Sequence, residues 1–528
     1  MAFTTIDFLI FFCIVFLVYY ALAYFPFTRG KGLQKWWLLI ANLVFYAWAS
    51  PLNLVFLCGS SLAVYLASLA IEKRERQLQA DIAQADKAKK KELCAQALRS
   101  KRVYLTLAIV FAVGLLALLK YTNFVLSNVN AVAAWLGGEL SLSVSWILPL
   151  GLSFYTFQNV GYLANVYWGK YPPQRNFFLY LLYISYFPHV LQGPLEEYEE
   201  VAPQIYAERT FDATRAEKGL VRFLFGLFKK WVIASQLSVL LTPYISGESE
   251  AYGVIVVLIG IGYAIQLYAD FSGYMDMAIG CSEMLGIRMA ENFDTPYFSS
   301  SIAQYWRRWH ISLGAWFRNY VFYPVLRSKG LTKLRKSLKK NKHLSSALPT
   351  AISLMVTWLL IGLWHGADWS YILHGAFYGI IITASTVLEP VYAAFEKKCG
   401  AVAKSKPFAL FRVLRTFAIV CFGYLIFAPG DLSITAEWLT NLFAGADLAK
   451  EALSTMWAEH DYGIVCALFG TLVLFAVDLY RALRKEKPAL GMQRSLPRMA
   501  YCLLLIVAIL FFGAYSEADA SQFLYFQF

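Results

Sequence analysis

The sequence predicts an all-α, polytopic integral membrane protein, and two observations support that prediction. Of the 528 residues, 59% are hydrophobic and only 15% are charged, whereas an average soluble domain has about 25% charged residues. The apolar residues also form continuous runs of the roughly 20 residues that an α-helix needs to cross a bilayer. A transmembrane β-barrel would instead require short segments of alternating polarity, so these runs exclude it.

The apolar runs predict about 11–12 transmembrane helices. They lie at residues 6–25, 36–50, 52–71, 103–120, 147–168, 219–241, 253–269, 348–364, 371–388, 408–428, 463–480 and 499–515. A further apolar segment at residues 177–190 is short and contains Pro188, so we expect a re-entrant or interfacial segment there. The first run lacks the basic region and cleavage motif of a signal peptide, and we expect it to be retained as a helix.

The positive charges predict how the chain is oriented. A net charge of +13 would be compatible with nucleic-acid binding, but the Lys and Arg residues concentrate between apolar runs, as topology signals do. The basic loops lie at residues 29–35, 73–102, 327–342, 397–415 and 481–498. With the crossings above, all of them fall on one side, which the positive-inside rule assigns to the cytoplasm. We therefore expect a multi-pass protein of the cytoplasmic (inner) membrane, surrounded by lipids, with no nucleic-acid partner and with both termini extracytoplasmic.

The chain is predicted to form one membrane-embedded domain, residues 1–528, with a charged insert at residues 72–102. The insert has no Pro or Gly and mixes both charge signs. This composition predicts a cytoplasmic helical hairpin or one long helix, with pairs such as Glu72–Arg76 four residues apart. Its charged surface either is only solvated or docks a partner.

Several functional classes have no support in the sequence. The eight cysteines are scattered without a CxxC pair or a His/Cys cluster, so neither a disulfide framework nor a metal site is predicted. There is no Walker A, GxGxxG or HExxH motif, which leaves an ATP-driven pump and a zinc protease unsupported. A secondary transporter would have matched halves, and the two halves of this chain do not look alike.

His365 is the first candidate catalytic residue. It ends an apolar run, between Trp364 and Gly366. A proton-exchanging side chain is costly inside a membrane, and a neutral imidazole can take a proton from an attacking hydroxyl. The alternative is an interfacial histidine that hydrogen-bonds to a neighbouring helix. His374, nine residues later, would point to the other side of a continuous helix, so it ranks second.

His310 is the second candidate. The residues before it are Trp306, Arg307, Arg308 and Trp309. At helical spacing Trp306 and His310 share one face. The arginines, beside indole rings at the cytoplasmic side, could bind either the phosphates of a donor substrate or anionic lipid headgroups. Because the basic segment 327–342 separates His310 from His365 in sequence, the two are predicted to bracket a path across the bilayer rather than form one compact site.

Other polar residues lie at membrane depth. Asp270, Ser272 and Asp276 continue the apolar run at residues 253–269. Buried carboxylates need partners, so these residues either line a polar cavity or only tie helices together. His189 lies between Pro188 and Pro194, where irregular backbone is tolerated only if it is buried in protein or lines a cavity.

Three segments carry a resemblance to a known family. In order they are YADFSGYMDMAIG (268–280), ENFDTPYFSSSIAQYWRRWHISLGAWFRNYVFYP (291–324) and GLWHGADWSYILHGAFYG (362–379). Together they resemble the membrane-bound O-acyltransferase family, and YFPHVLQGPLEEYEEVAPQI (186–205) and the ending FLYFQF resemble its bacterial alginate O-acetyltransferase branch. The similarity is densest over residues 151–379, the predicted catalytic core.

The resemblance implies a multi-helix funnel in which a thioester donor, acetyl-CoA or an acyl-carrier thioester, enters from the cytoplasm without any bound cofactor. It implies that His365 is the catalytic histidine and His310 the second histidine of the branch, while Trp306, Arg307, Arg308, Trp309 and Trp364 help to position the donor. The acyl group, acetyl by this likeness, would move towards an extracytoplasmic polysaccharide. In this branch an exported serine-hydrolase-like partner often completes the transfer.

Two alternatives remain open from the sequence. One is D-alanyl transfer to teichoic acid from a carrier protein, although chains of that type usually lack the insert at residues 72–102. The other, from a different functional class, is a polysaccharide export or assembly component without chemistry of its own.

Overall fold

The computed structural model of the chain describes residues 1–83, 85–146, 148–484 and 495–515, and the regular secondary structure in them is helical. The first residue of the predicted crossing at 147–168, much of the basic loop at 481–498 and the closing FLYFQF lie outside the described residues. Two compact units are present. The first contains residues 3–219 and 281–290 together with Met1, and the second contains residues 220–280 and 291–528 together with Ala2.

The first unit holds the helices of the N-terminal part of the chain. They are α1 (Ile6–Tyr24), α2 (Leu33–Ala47), α3 (Leu52–Ala83), α4 (Lys87–Trp135), α5 (Leu152–Tyr167), α6 (Phe177–Ser185), α7 (Phe187–Val190) and α8 (Tyr198–Tyr206). Several begin at a residue whose side chain accepts a hydrogen bond from a free backbone N–H of the first turn. Thr5 does this for α1 and Asp86 for α4.

The second unit holds the remaining helices, including most residues of α9 and α11. They are α9 (Ala213–Phe228), α10 (Ser235–Ile245), α11 (Val254–Met284), α12 (Ile302–Arg308), α13 (Ile311–Phe317), α14 (Tyr323–Leu326), α15 (Lys329–Ser337), α16 (Lys342–His365), α17 (Trp369–Val387), α18 (Glu389–Lys398), α19 (Gly400–Ala403), α20 (Lys406–Phe427), α21 (Leu432–Asn441), α22 (Ala446–Arg484) and α23 (Ser495–Phe512). One π-helical segment, Lys229–Ala234, joins α9 to α10, another, Arg318–Phe322, joins α13 to α14, and a 3₁₀ turn covers Pro296–Phe298.

Each predicted crossing corresponds to a helix. Within the described residues, nine helical stretches are long and apolar enough to cross a membrane, and α9, the π segment and α10 count together as one of them. The other three predicted crossings correspond to shorter helices, α2, α5 and α23. The all-α, polytopic prediction is therefore confirmed.

The charged insert forms a helical hairpin, one of the two predicted alternatives. Helix α3 ends at Ala83, and Asp86 starts α4 by accepting a hydrogen bond from the Lys89 backbone N–H at 2.8 Å. The 49 residues of α4 give it a length of about 73 Å at 1.5 Å per residue, more than twice the hydrocarbon core of a bilayer. The predicted Glu72–Arg76 pair is present, at 2.6 Å.

The apolar segment at residues 177–190 forms two short helices, and its re-entrant or interfacial place in the membrane stays a prediction. Helix α6 has nine residues and α7 four, with a break at Tyr186, so neither can span a membrane. Most of their side chains are buried within the first unit.

Candidate active site

A helical hairpin brings His365 and His374 together. Helix α16 ends at His365, the chain reverses over three residues, and Asp368 starts α17 by accepting a hydrogen bond from the Ser370 N–H at 2.8 Å. The two imidazole rings lie 6.4 Å apart, and both side chains are buried. The expectation that His374 points away from His365 along a continuous helix is wrong, because the helix stops at His365 and the chain turns back.

Two glycines allow α16 and α17 to approach closely. A Cβ atom placed on Gly375 would lie 2.5 Å from the Trp358 carbonyl oxygen and 3.0 Å from the Gly362 Cα atom. Distances that short are not tolerated, so only glycine fits where the backbones meet. This contact fixes the position of His374, which directly precedes Gly375.

The ring of Trp364 lies close to both predicted catalytic histidines. The centroid of its ring is 4.9 Å from that of His365 and 6.1 Å from that of His310. Phe427 of α20 packs edge-on against His365 at 5.3 Å. The prediction that His310 and His365 bracket an extended path is therefore wrong, because tertiary packing places both rings against the same indole.

His310 lies between two helices rather than inside one. Helix α12 ends at Arg308, Trp309 has extended backbone, and α13 begins at Ile311. His310 has φ +45°, in the left-handed region that side chains other than glycine rarely adopt. Trp306 and His310 therefore do not share a helix face, contrary to the prediction, because the helix breaks between them.

The strained backbone at His310 is held by a neighbouring segment. The Asp294 N–H donates to the Arg308 carbonyl and the Ile311 N–H to the Asn292 carbonyl, each at 3.0 Å. A left-handed non-glycine residue costs on the order of 1–3 kcal/mol and persists only where its surroundings enforce it. Such strain is concentrated at functional sites, which supports a role for His310.

The imidazole of His310 is buried among apolar groups and one amide. Phe271 packs edge-on against it at 4.8 Å, and the Asn292 side chain reaches its Nδ1 atom at 3.1 Å. His310 lies outside the candidate membrane spans of the described residues. Burial lowers its pKa from 6.5 to about 3, so the ring is neutral at physiological pH.

The two predicted donor-binding arginines have different surroundings. Arg307 is exposed. Arg308 is half-buried, and its guanidinium donates to the carbonyls of Thr295 and Phe298, at 3.5 Å each. Arg307 is therefore the one in a position to meet a ligand or lipid phosphate, whereas Arg308 holds the loop before α12.

The two predicted tryptophans beside them pack inwards. Trp309 lies 5.0 Å from the ring of Phe293 in the core of the second unit. Trp306 lies 4.8 Å from Trp358 and 6.3 Å from His374. Trp306 therefore joins the surroundings of His374, and its role in donor binding stays a prediction.

Asp270, Ser272 and Asp276 belong to a buried ionic network. Lys230 contacts Asp270 at 2.7 Å. Lys229 contacts Asp276 at 2.6 Å and Ser272 at 3.1 Å. This arrangement favours the reading in which these residues tie helices together, since both lysines come from the π segment between α9 and α10 and the acidic residues from α11.

Sequence reasoning missed the cationic half of this network. Lys229 and Lys230 lie inside a predicted crossing. Charged side chains are rare there and mark functional or paired positions, so the sequence alone could have identified both lysines as partners of buried carboxylates. Arg222 completes the network, with one hydrogen bond to Asp276 at 2.9 Å and two to Glu291, at 2.7 and 2.5 Å. Glu291 directly precedes Asn292, so the network continues along the chain to the residue that contacts His310.

His189 belongs to the first unit, whereas the other predicted site residues belong to the second. Its Nε2 atom lies 2.7 Å from the Tyr183 carbonyl, and its ring packs edge-on against Tyr183 and Tyr186. Its place in a cavity stays a prediction. Among the described residues, no group of three or more His, Cys, Asp and Glu side chains could hold a metal ion.

The arrangement around Trp364 offers proton transfer in a buried setting. Two imidazoles, His310 and His365, lie against one indole, and a third, His374, lies beside His365. An imidazole such as that of His365 is the side chain best suited to accept and return a proton near neutral pH.

Comparison with known proteins supports an acyltransferase. The model of the MBOAT, membrane-bound O-acyltransferase, family matches residues 173–428. The chain is 30% identical to the "Probable alginate O-acetylase AlgI" of Pseudomonas putida, over the whole of both chains. It is 27% identical to the peptidoglycan O-acetyltransferase of Helicobacter pylori, over 95% of this chain and 93% of that one.

A more limited similarity is to the teichoic acid D-alanyltransferase of Bacillus subtilis, which is 28% identical over 53% of this chain and 68% of its own. The family match includes His310 and His365, and the alginate O-acetylase relative spans every described helix. The chain belongs to the membrane-bound O-acyltransferase family.

Proposed function

We propose that this O-acyltransferase takes an acetyl group from a thioester on the cytoplasmic side for the O-acetylation of an extracytoplasmic polysaccharide. The observation that carries the proposal is His365, buried at the end of an apolar helix and packed against Trp364 and Phe427. A buried imidazole supplies the proton acceptor that acyl transfer to a hydroxyl needs inside a membrane. Acetyl and a polysaccharide are favoured by the alginate O-acetylase and peptidoglycan O-acetyltransferase relatives.

In the proposed reaction His365 acts as general base and then as general acid. The acceptor hydroxyl loses its proton to His365 as its oxygen bonds to the thioester carbonyl carbon. The carbonyl electron pair moves onto its oxygen, and the tetrahedral intermediate collapses by breaking the C–S bond. The departing thiolate takes the proton back from His365, which regenerates the neutral imidazole.

The donor in this proposal is acetyl-CoA or an acyl-carrier thioester, and both carry phosphate. The exposed guanidinium of Arg307 is the predicted donor-side group that a phosphate could reach. Arg308 already donates to two carbonyls of its own loop, so we assign it to shaping that loop rather than to binding.

Donor and acceptor lie on opposite sides in this proposal. The basic hairpin of α3 and α4 and the basic helix α15 would face the cytoplasm, and both termini would lie outside it. The proposed location is the cytoplasmic membrane. An exported serine-hydrolase-like partner, suggested by the likeness to the alginate branch, would carry the acetyl group from its serine to the sugar hydroxyls.

His365→Ala tests the proposal. We expect the variant to insert at the wild-type level and to lower acyl transfer by at least about 10²-fold, the lower range for loss of a general base. The measurement is the ester content of the surface polysaccharide in cells that carry either form. His460→Ala is the matched control, since His460 lies at a bend of α22 outside the site. Full ester content with His365→Ala would reject the enzymatic role of this residue.

The donor is tested separately. Purified protein is incubated with radiolabelled acetyl-CoA, with an acetyl-loaded carrier protein or with a D-alanyl-loaded carrier protein. We expect label to move from an acetyl thioester. Label that moves only from the D-alanyl carrier would replace the acetyl proposal with D-alanyl transfer.

A further inference from the structure

The amide of Asn292 is locked in one orientation beside His310. Its Oδ1 atom accepts hydrogen bonds from the Ser312 backbone N–H and the Ser312 hydroxyl, both at 2.9 Å. A backbone N–H can only donate, so the atom that faces Ser312 must be the oxygen and not the nitrogen. The usual uncertainty between the two ends of an asparagine amide is therefore removed at this position.

The orientation of the Asn292 amide determines which of its atoms lies nearest to His310 Nδ1. The Nδ2 atom of Asn292, which can only donate, lies 3.1 Å from His310 Nδ1. The Oδ1 atom lies farther away, at 3.3 Å, and already accepts two hydrogen bonds from Ser312. A proton on Nδ1 would oppose the nearer N–H group, so Nδ1 accepts a hydrogen bond and carries no proton.

Backbone hydrogen bonding keeps the side chains of Asn292 and His310 next to each other. The Ile311 N–H donates to the Asn292 carbonyl at 3.0 Å, and His310 is held with φ +45°. The Asn292 Nδ2 atom also contacts the Met275 sulfur of α11, at 3.3 Å. Asn292 is buried, so water does not compete with these contacts.

We infer that Asn292 is a positioning residue that fixes neutral His310 as the Nε2–H tautomer, and hence as a hydrogen-bond donor rather than a base. The two histidines close to Trp364 then have different roles, which extends the proposed function and rests on it. His365 moves the proton, while the Nε2–H of His310 stabilises the negative oxygen that develops on the thioester carbonyl. Asn292 acts only through His310.

The protonation of His310 can be read directly. Full-length protein with ¹⁵N-labelled histidine is studied by solid-state NMR in lipid bilayers, and the His310 signals among the six histidines are identified by their loss in His310→Gln. We expect Nε2 to be the protonated nitrogen and Nδ1 the unprotonated one. A wild-type signal with the proton on Nδ1 would overturn the inference, and this result does not depend on activity.

Asn292→Asp tests the cause. A carboxylate only accepts hydrogen bonds, so it draws a proton to His310 Nδ1 while it keeps both bonds from Ser312. We expect the ¹⁵N spectrum to show Nδ1 protonated and kcat to fall about 10²-fold, as when an oxyanion donor is lost, with the KM for the donor little changed. Asn341→Asp is the matched control, because Asn341 is an exposed N-cap that aspartate replaces well.

The outcomes separate the inference from the proposed function. If Asn292→Asp leaves both the His310 proton position and kcat unchanged, Asn292 does not set the tautomer and the inference fails. The opposite case is also possible to recognise. If the wild-type protein transfers no acyl group from any thioester, the proposed function fails. If its spectrum nevertheless shows the Nε2–H form, and Asn292→Asp removes that form, Asn292 still positions the proton of His310.

Discussion

The ring of His374 is tightly packed, but one of its buried nitrogen atoms lacks a hydrogen bond. Its ring lies 4.9 Å from those of Tyr378 and Phe427, yet its buried Nε2 atom has no hydrogen-bond partner among the described residues. The buried Nε1 atom of neighbouring Trp306 is in the same situation. A buried polar atom without a hydrogen bond lowers the free energy of unfolding by about 1–3 kcal/mol. Such atoms are therefore rare in folded proteins, and each one calls for an explanation such as a functional role. A substrate or water atom that visits this place would supply the missing partner.

Replacing His374 with Phe should separate stability from activity. Phenylalanine keeps the ring packing and removes the unpaired nitrogen, so we expect the free energy of unfolding to rise by about 1 kcal/mol. Acyl transfer should fall roughly tenfold, the effect of losing one hydrogen bond near the reacting atoms. Thermal unfolding in detergent and a donor-to-acceptor assay measure the two effects. A variant that is more stable and equally active would assign His374 to packing alone.

At the scale of elements, the α16–α17 hairpin is the structural feature that brings the site residues together. Both helices were predicted from hydropathy, but their closeness depends on Gly362 and Gly375, where the backbones meet. The break between α12 and α13 is the second such feature, since it turns His310 towards Trp364. Neither feature can be predicted from the spacing of apolar residues, because each depends on a contact with another element.

Gly375→Ala should loosen the hairpin. The added methyl group would overlap the Trp358 carbonyl oxygen, so we expect the free energy of unfolding to fall by about 1–3 kcal/mol. Acyl transfer should fall as well, since His374 moves with the helix. Gly330→Ala is the matched control, because nothing lies within 4 Å of its added Cβ and α15 should gain about 0.5–1 kcal/mol. Equal behaviour of the two variants would contradict the close-packing argument.

At the scale of the whole molecule, the charge distribution predicts which side each loop faces. Lys and Arg dominate the α3–α4 hairpin and α15, whereas Glu248, Glu250 and Asp431 lie in loops of the opposite set. Positive loops remain in the cytoplasm during insertion. Sidedness therefore follows from composition and stays a prediction until it is measured.

Cysteine labelling measures the sidedness. Cys94 is exposed on the charged part of α4. In a variant that keeps Cys94 alone, a membrane-impermeant maleimide should label it only after the cytoplasmic face is opened. A second variant with Glu248→Cys alone, also at an exposed position, should be labelled in intact spheroplasts. Labelling of both from the same side would refute the predicted orientation.

The sequence by itself determined the fold class, the places of the crossings and the family. Hydropathy over about 20 residues is a local property, so the runs predicted helices that the structure contains. The motifs around His310 and His365 are likewise contiguous and could be recognised without coordinates. One of the helices at these crossings, α5, is shorter than its apolar run suggested, with 16 residues.

Only the tertiary structure decided which residues meet. His374 reaches His365 because the chain reverses after Gly366, His310 reaches Trp364 because its backbone is left-handed, and Lys230 pairs with Asp270 across two helices. The His310–Trp364 and Lys230–Asp270 contacts join residues that are far apart in sequence, and the first also depends on one strained dihedral angle. The His365–His374 contact depends on where the helix ends. The pattern of apolar residues along the sequence predicts which faces of the helices are buried, but not which of those faces pack together. The candidate residues could therefore be found one by one, while their common site around Trp364 could not.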